Sequence, residues 1–593
     1  MKVLVLLVAA LLPLGLRAQT VCPPTPAYSP CELVFEMSEE ELRANPNPYQ
    51  SVTLDVEFRS PRYRTYRLPA YWDGGNRMVV RFTPTAAGAW DFRVTGNLPR
   101  FEGKLGQVEA TAFDSPGFVR PRNVHHWGYT DSDQPHLWMG DTCLRFAFLD
   151  PDSFDKLVAE RAKQKFNHLR GLIMGGEADS AKAFPSADRP DPEFFRRVDQ
   201  RVRAMNKAGM VADLILGGSQ NHLAKLFPTW QQRERYLRYV VGRYSAMHIT
   251  WQGVEEFEGY AEGRGLLKEM GLLLKKLDPY AHPLSSGAAA TSAPLAEDGW
   301  MSYIVHHSGD IQLQSIEHQL YGMPFVDTGF AAEASDADTF RKRLWNATMS
   351  GEYPTIEGGD AAATGVWLDF FSATRHWELE PYFDVDGGRA LALEIPQDEE
   401  TEGIEYIVYV EKPGPVELVV QKHTYDVAWI NPINGERVKQ KGFKGDRLKT
   451  QPPDTQHDWV LHVWRDSKMQ GMLRSYKFES HPVLLQEVEQ NADRVPYEIV
   501  EPSGDTLSAG KPYRFAAKIK RDTRATRSMM WLWTGEVSTE GQGYRVLGTG
   551  QEGEMTIPAT LARRYPAVIN LRLTGMNANG KVYFSDRIYK LTQ

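Results

Sequence analysis

Hydrophobic and polar positions alternate along the first hundred residues. The segment 51–58 has period two, as a strand with one buried face does. Segments 63–71, 76–83 and 89–95 repeat the pattern, with turn residues such as Asp73-Gly74-Gly75 between them. Short strands at this spacing predict an immunoglobulin-like β-sandwich over 19–115. From 116 to 385 the period changes. Phe154, Leu157, Val158, Ala162 and Phe166 fall on one helical face. Phe195, Val198, Val202 and Met205 fall on another, and Leu266, Leu267, Met270, Leu273, Leu274 and Leu277 on a third. Apolar strand candidates lie between the helical stretches at 137–140, 168–174, 211–216, 249–251, 284–286, 301–305, 325–326 and 354–356. This alternation predicts a TIM-type (β/α)₈ barrel. A doubly wound sheet is the competing arrangement. Residues 386–480 return to β, with strands at 404–410, 416–420, 425–430 and 459–463 and a turn signal at Asn434-Gly435. A last β region covers 490–593, with strands at 513–519, 529–533, 568–573 and 581–584, beyond a polar junction at 487–494. The expected whole is a multidomain chain: a central TIM barrel flanked by all-β sandwich domains.

The 593 residues suit three or four domains at roughly 100–200 residues each. A net charge of −8 without a basic stripe argues against nucleic acid as a partner. Residues 1–18 read as a signal peptide: Lys2, an apolar run over 3–16 broken by Pro13, and cleavage after Ala18. That run is shorter than the ~20 apolar residues a membrane span needs, and no later stretch supplies them. The expectation is a secreted or periplasmic protein with no membrane segment. Cys22 and Cys31 could close a short loop in an oxidising compartment. Cys143, inside an apolar segment, is expected to be a buried free thiol. No Cys/His spacing of metal-site type occurs, so neither metal nor cofactor is expected.

Barrel enzymes place their chemistry at the C-terminal ends of the strands. The first predicted strand is followed by Asp141. The second is followed by Gly175, Gly176 and Glu177, and the fourth carries Trp251 and then Glu255, Glu256, Phe257 and Glu258. The sixth is followed by His306, His307 and Asp310, the seventh by Asp327, and the eighth by Glu357 and Asp360. This carboxylate- and aromatic-rich rim suits glycoside hydrolysis, which needs two carboxylates flanking the bond. Each residue also has a structural reading: Asp141 as a cap or turn residue, Glu177, Glu258 and Asp360 as solvated surface, and His306-His307 as a packed pair.

The segment Leu137-Trp138-Met139-Gly140-Asp141-Thr142-Cys143, then Lys165-Phe166-Asn167, resembles the start of the barrel in apiosidase-like glycoside hydrolases. Pro192-Glu193-Phe194-Phe195 with Asp199, and Ile249-Thr250-Trp251 followed by Glu255-Glu256, are similar to later segments of that barrel. The resemblance covers about 118–375. Upstream, Tyr71-Trp72-Asp73-Gly74 and Gly88-Ala89-Trp90 resemble the immunoglobulin-like domain that often precedes it. Downstream, Ala428 to Gly435 and Asp458-Trp459-Val460 resemble a small sandwich named for collagen binding that often follows. The resemblance implies an enzyme cleaving glycosidic bonds of plant or microbial polysaccharide, with Glu256 as proton donor. Pro324-Phe325-Val326-Asp327-Thr328-Gly329 departs from it, because glycine stands where the family carries its nucleophile. Asp327 is the expected substitute, with Glu333 and Glu357 as alternatives; its shorter side chain, set deeper, leans towards inversion. Asp141, Trp251, Glu255, His306, His307 and Glu357 are expected to bind the sugar. A non-catalytic carbohydrate-binding or cell-surface protein with a decayed barrel is the second reading. The sequence leaves oligomeric state open.

Overall fold

The computed structural model describes residues 19–20, 22–330, 336–359, 361–394, 404–466, 485 and 487–593. The expected leader 1–18, Glu333 and Asp360 lie outside the described residues. Two compact units are present, Met1–Phe113 with Arg238–Ala246, and Asp114–Leu237 with Met247–Gln593. Among the described residues no helix is long and apolar enough to cross a membrane.

The first unit contains two facing sheets. One pairs Cys31–Glu36 with Arg77–Phe82, and the other runs through Leu105–Thr111, Gly88–Gly96, Leu54–Arg59 and Thr65–Pro69. The predicted period-two residues fill the space between them: Val56, Phe58, Phe82, Trp90 and Phe92 are buried, and Phe58 stacks on Phe82 with centroids 3.8 Å apart. Cys22 and Cys31 form a disulfide.

In the second unit, one eight-stranded sheet is parallel throughout. Its strands, first to eighth, are Gly140–Thr142, His168–Leu172, Val211–Gly217, Ile249–Val254, Leu284–Ser285, Ile304–His306, Phe325–Phe330 and Glu352–Ile356. The first strand pairs with the eighth, Gly140 opposite Thr355. The fifth and sixth are linked at their edges by Ser302 N–H donating to Leu284 O at 2.7 Å and Ser285 Oγ donating to Tyr303 O at 2.7 Å. A doubly wound sheet has open edges and a reversal of strand order; this one curls shut, so the barrel reading holds. The first strand begins at Gly140, where the sequence pattern placed its end, because Trp138 and Met139 are buried below it for packing. Helix starts follow local chemistry: Asp150, Asp191, Asp310 and Asp336 cap helices Pro151–Lys163, Pro192–Lys207, Ile311–Leu320 and Ala337–Met349 by accepting backbone N–H bonds.

The N-terminal end of the barrel is filled by Trp138, Val211, Val305, Val326 and Tyr353, together with Val119 and Trp127 from the hairpin Val119–Arg122/His126–Tyr129. Polar layers stand above it. His168 Nδ1 bonds Asp213 Oδ1 at 2.9 Å, and Thr250 donates to the same oxygen at 2.8 Å.

Beyond the barrel, the described residues between 380 and 465 form one curled sheet. The predicted strands 416–420 and 425–430 are a single long strand, Val416–Ile430, whose first half pairs with Phe443–Thr450 and second half with Trp459–Arg465. Residues 497–592 form a two-sheet sandwich around Phe515, Trp531, Trp533, Leu571 and Tyr589. It is not a free appendage of the barrel. Leu532, Met576 and Val582 pack with Leu313 and Ile316 of helix Ile311–Leu320, and Tyr544 Oη donates to Glu317 Oε1 at 2.7 Å.

Candidate active site

The C-terminal mouth of the barrel is organised around Arg170. It lies on the second strand, opposite Thr142 and Asp213, and its side chain turns inward. Only 5% of the residue is exposed, and its Nε donates to Gln252 Oε1 at 2.8 Å. Gln252 in turn donates to the Tyr303 hydroxyl at 3.1 Å. Burial lowers the Arg170 pKa, and the charges of Glu255, Asp213 and Glu357 oppose that. A guanidinium taken out of water requires anions nearby. Two of those anions, Glu255 and Glu357, belong to the loops after the fourth and eighth strands.

Glu255 is half-exposed, anchored by its own N–H to Gly217 O at 2.9 Å. Its loop is pressed so closely on Gly287 that a side chain there would approach within 2.0 Å of Glu255 O. Glu357 is exposed, and its charge reaches Cys143 as well as Arg170. His307 is reachable by solvent yet desolvated enough to lower its pKa, with Arg170 lowering it further and Glu255 and Asp327 raising it. Its Nδ1 stands 3.2 Å from Thr328 Oγ1. Arg170, Gln252, Glu255, His307, Tyr303 and Glu357 therefore form one constellation.

Glu256 opens the 3₁₀ turn Phe257–Gly259, half-exposed, and its charge bears on Glu258. Glu258 accepts from Ala289 N–H at 2.9 Å, and burial pushes its carboxyl up to about 7, with Arg545 opposing. Arg545 comes from the C-terminal sandwich and lies 5.0 Å over the ring of Phe257. Glu258 is thus no solvated surface acid.

Four expected site residues lie elsewhere. Asp327 is fully buried and faces the helix layer: it accepts from Gln314 at 3.1 Å and from Gly329 N–H at 2.8 Å, with Arg343 at 3.5 Å. Inward and outward residues alternate along its strand, and Val326 takes the inward position. It cannot meet a sugar, and the inference towards inversion loses its basis. Gly329 is not a vacated carboxylate position either, since a Cβ there would stand 2.5 Å from His307 O. Trp251 is fully buried and donates to Asp278 Oδ2 at 2.9 Å, so it packs outward and offers no stacking face. His306 is fully buried between Glu352 and Glu317. Burial alone would lower its pKa; the two carboxylates raise it to about 10. Asp141 is 2% exposed and accepts from Arg161 Nε at 2.7 Å and from Gly358 N–H at 3.2 Å. Arg161 Nη2 donates to Gly358 O at 3.2 Å. The pair clamps both sides of the residue after Glu357, so Asp141 positions rather than binds. Glu177 is an exposed partner of Lys225, and Asp310 is a helix cap. Cys143 is a free thiol, but half-buried.

Arg170, Gln252 and Tyr303 were not singled out in the sequence. The available signal was a lone charge inside the apolar run 168–174.

Residues 125–353 match the apiosidase-like catalytic domain. The barrel is of the apiosidase-like type. Residues 24–97 match a domain family of unknown function, DUF5060, so the sandwich is one that precedes such barrels here. No curated protein matches the chain. Among solved structures, a candidate glycoside hydrolase from Bacteroides vulgatus ATCC 8482 aligns with a TM-score of 0.60 at 16% identity, over 74% of this chain and 99% of that one. A glycoside hydrolase family 5 protein of the same organism aligns with a TM-score of 0.51 at 12% identity, over 60% of this chain and 94% of that one. These likenesses establish a glycoside-hydrolase-type fold.

Proposed function

We propose that the chain hydrolyses glycosidic bonds of a plant or microbial polysaccharide, with Glu255 and Glu357 flanking the scissile bond. The observation that carries this is the convergence of both charges on buried Arg170 from the ends of the fourth and eighth strands. Glycoside hydrolysis uses one carboxyl as acid and another as base or nucleophile. Glu357 takes the second role: it is exposed at the mouth and held by the Asp141–Arg161 clamp. Glu255 takes the proton-donor role, since its charge also reaches His307. Glu256, the donor that the family resemblance designates, is favoured by its place in the same segment and its half-exposure. Export to an oxidising compartment fits the Cys22–Cys31 bond.

A panel of polysaccharides and aryl glycosides tests the reading. Loss of a general acid or base costs about 10²–10⁴-fold in rate. Glu357→Gln is expected to lose activity on that scale on every substrate. Glu255→Gln should lose it mainly on substrates with poor leaving groups. A larger loss in Glu256→Gln than in Glu255→Gln reassigns the donor. Binding without turnover by the unmodified chain supports instead the carbohydrate-binding protein.

A further inference from the structure

The loop after the fourth strand is completed by a domain outside the barrel. From that strand the chain runs through Glu255 and Glu256, the 3₁₀ turn Phe257–Gly259 and helix Gly263–Leu277. Barrel loops hold part of this stretch. Tyr260 Oη donates to Gly218 O at 2.6 Å and accepts from Leu223 N–H at 3.0 Å, and Ala261 N–H donates to Asn221 Oδ1 at 2.9 Å. Glu258 is tied to Ala289 in the loop after the fifth strand.

Other parts are held from the C-terminal sandwich. The first N–H groups of a helix have no partner within it and need one from elsewhere. Glu262, at the cap position of Gly263–Leu277, makes no side-chain cap bond. Gln542 Oε1 of the sandwich accepts from Arg264 N–H at 3.2 Å instead. Arg563 Nη1 donates to Glu262 Oε1 at 3.1 Å, and its Nη2 bonds Ala261 O. The loop of Gln542 comes this near because the next residue is glycine. At Gly543, with φ 75°, a Cβ would stand 2.9 Å from Pro294 Cβ and 3.1 Å from Arg264 Nη1.

Arg545, the first residue of strand Arg545–Thr549, reaches the turn itself. Phe257 stands between Glu256 and Glu258 in the chain and is fully buried, and the Arg545 guanidinium carbon lies 5.0 Å from its ring centroid. A cation over an aromatic face gains most where water is excluded. The guanidinium is aimed by its own segment: Nη1 donates to Gln542 O at 3.3 Å and Tyr544 O at 3.4 Å. Burial lowers the Arg545 pKa, and the Glu258 charge opposes that. The same strand ends at Thr549, whose hydroxyl bonds Asp310 after the sixth strand. One strand of the sandwich therefore touches the barrel rim at two of its loops.

We propose that Arg545 is a positioning residue for the reaction: through Phe257 it fixes the loop that carries Glu255 and Glu256, so the last sandwich forms part of the active site. The proposal rests on the reading that this loop supplies the proton donor.

Arg545→Met keeps the side-chain stem and removes the cation, whereas Arg545→Lys keeps a cation. Both are made in the full chain. Hydrogen–deuterium exchange, read by mass spectrometry, should rise over 255–262 in Arg545→Met and stay native in the third strand, Val211–Gly217. On a polysaccharide, kcat should fall about 10–100-fold with KM nearly unchanged, since a misplacement near 1 Å costs about 10²-fold. Aryl glycosides with activated leaving groups need little protonation, so the fall on them should be smaller. Arg545→Lys should restore most of the rate. Melting temperatures show whether each variant is folded; should Arg545→Met not fold, Phe257→Leu, which removes the ring and keeps the cation, makes the same test. Native exchange over 255–262 in the folded variant would overturn the proposal. So would an equal fall on both substrate classes, which marks a structural role alone. If the unmodified chain hydrolyses nothing, the glycosidase reading fails by itself, and the exchange measurement still decides whether Arg545 holds the loop.

Discussion

Asp141→Asn is the perturbation that most directly tests how the mouth is built. Asparagine keeps the shape and removes the charge. In the native chain one carboxylate oxygen takes Arg161 Nε at 2.7 Å and the other takes Gly358 N–H at 3.2 Å. Burial raises the Asp141 pKa even with Arg161 opposing, so the carboxylate is costly to keep charged. The pair as a whole is therefore no large source of stability, in line with buried ion pairs generally. Removing one partner differs from removing both. It strands Arg161, whose side chain is 15% exposed. A fully buried break costs about 3–5 kcal/mol; partial exposure, and the remaining bonds of Arg161 to Gln164 and Gly358 O, reduce that to about 1–3 kcal/mol. Urea unfolding measures it. The double variant Asp141→Asn/Arg161→Gln should recover most of the stability, since no charge is left unpaired. Activity should not recover, because Glu357 has lost its clamp, and a displacement near 1 Å costs about 10²-fold. Unchanged stability and unchanged kcat/KM in Asp141→Asn would refute the clamp.

Two further expectations follow from the buried contacts. Deleting 490–593 exposes Leu313 and Ile316 and removes the Tyr544 bond to Glu317, at about 1.5–3 kcal/mol per apolar side chain; the shortened chain should melt lower and aggregate, and an equally stable, soluble product would show that the barrel does not depend on the last sandwich. His306, with a folded pKa of about 10 above the ordinary 6.5, stabilises fully below about pH 6.5 and loses that contribution as pH rises towards 10. Unfolding free energy should therefore fall between those values, and His306→Gln should flatten the profile; a native profile without slope there would count against the ion pair.

Period and spacing made the barrel legible, because eight apolar runs alternating with amphipathic helices have few other ways to bury both faces. The site was legible only in part. Rim position follows from strand ends, so Glu255, His307 and Glu357 could be placed at the mouth. Which way a side chain turns depends on strand parity, and a shift of one residue reverses it. Trp251 and Asp327 fell on the outward parity, where they bond Asp278 and Gln314. A carboxylate at a strand end reads the same in sequence whether it meets substrate or fastens a helix. Asp141, Arg161 and Gly358 show the harder limit: they come together only through tertiary folding, so no spacing rule applied to them. Arg170 lay between these cases. A lone charge in an apolar strand must be offset by partners, and in a barrel these are anions that other strands or strand ends bring to the same opening. The buried arginine thus singles out, among the many rim acids, Glu255 and Glu357 as two whose charge reaches inward.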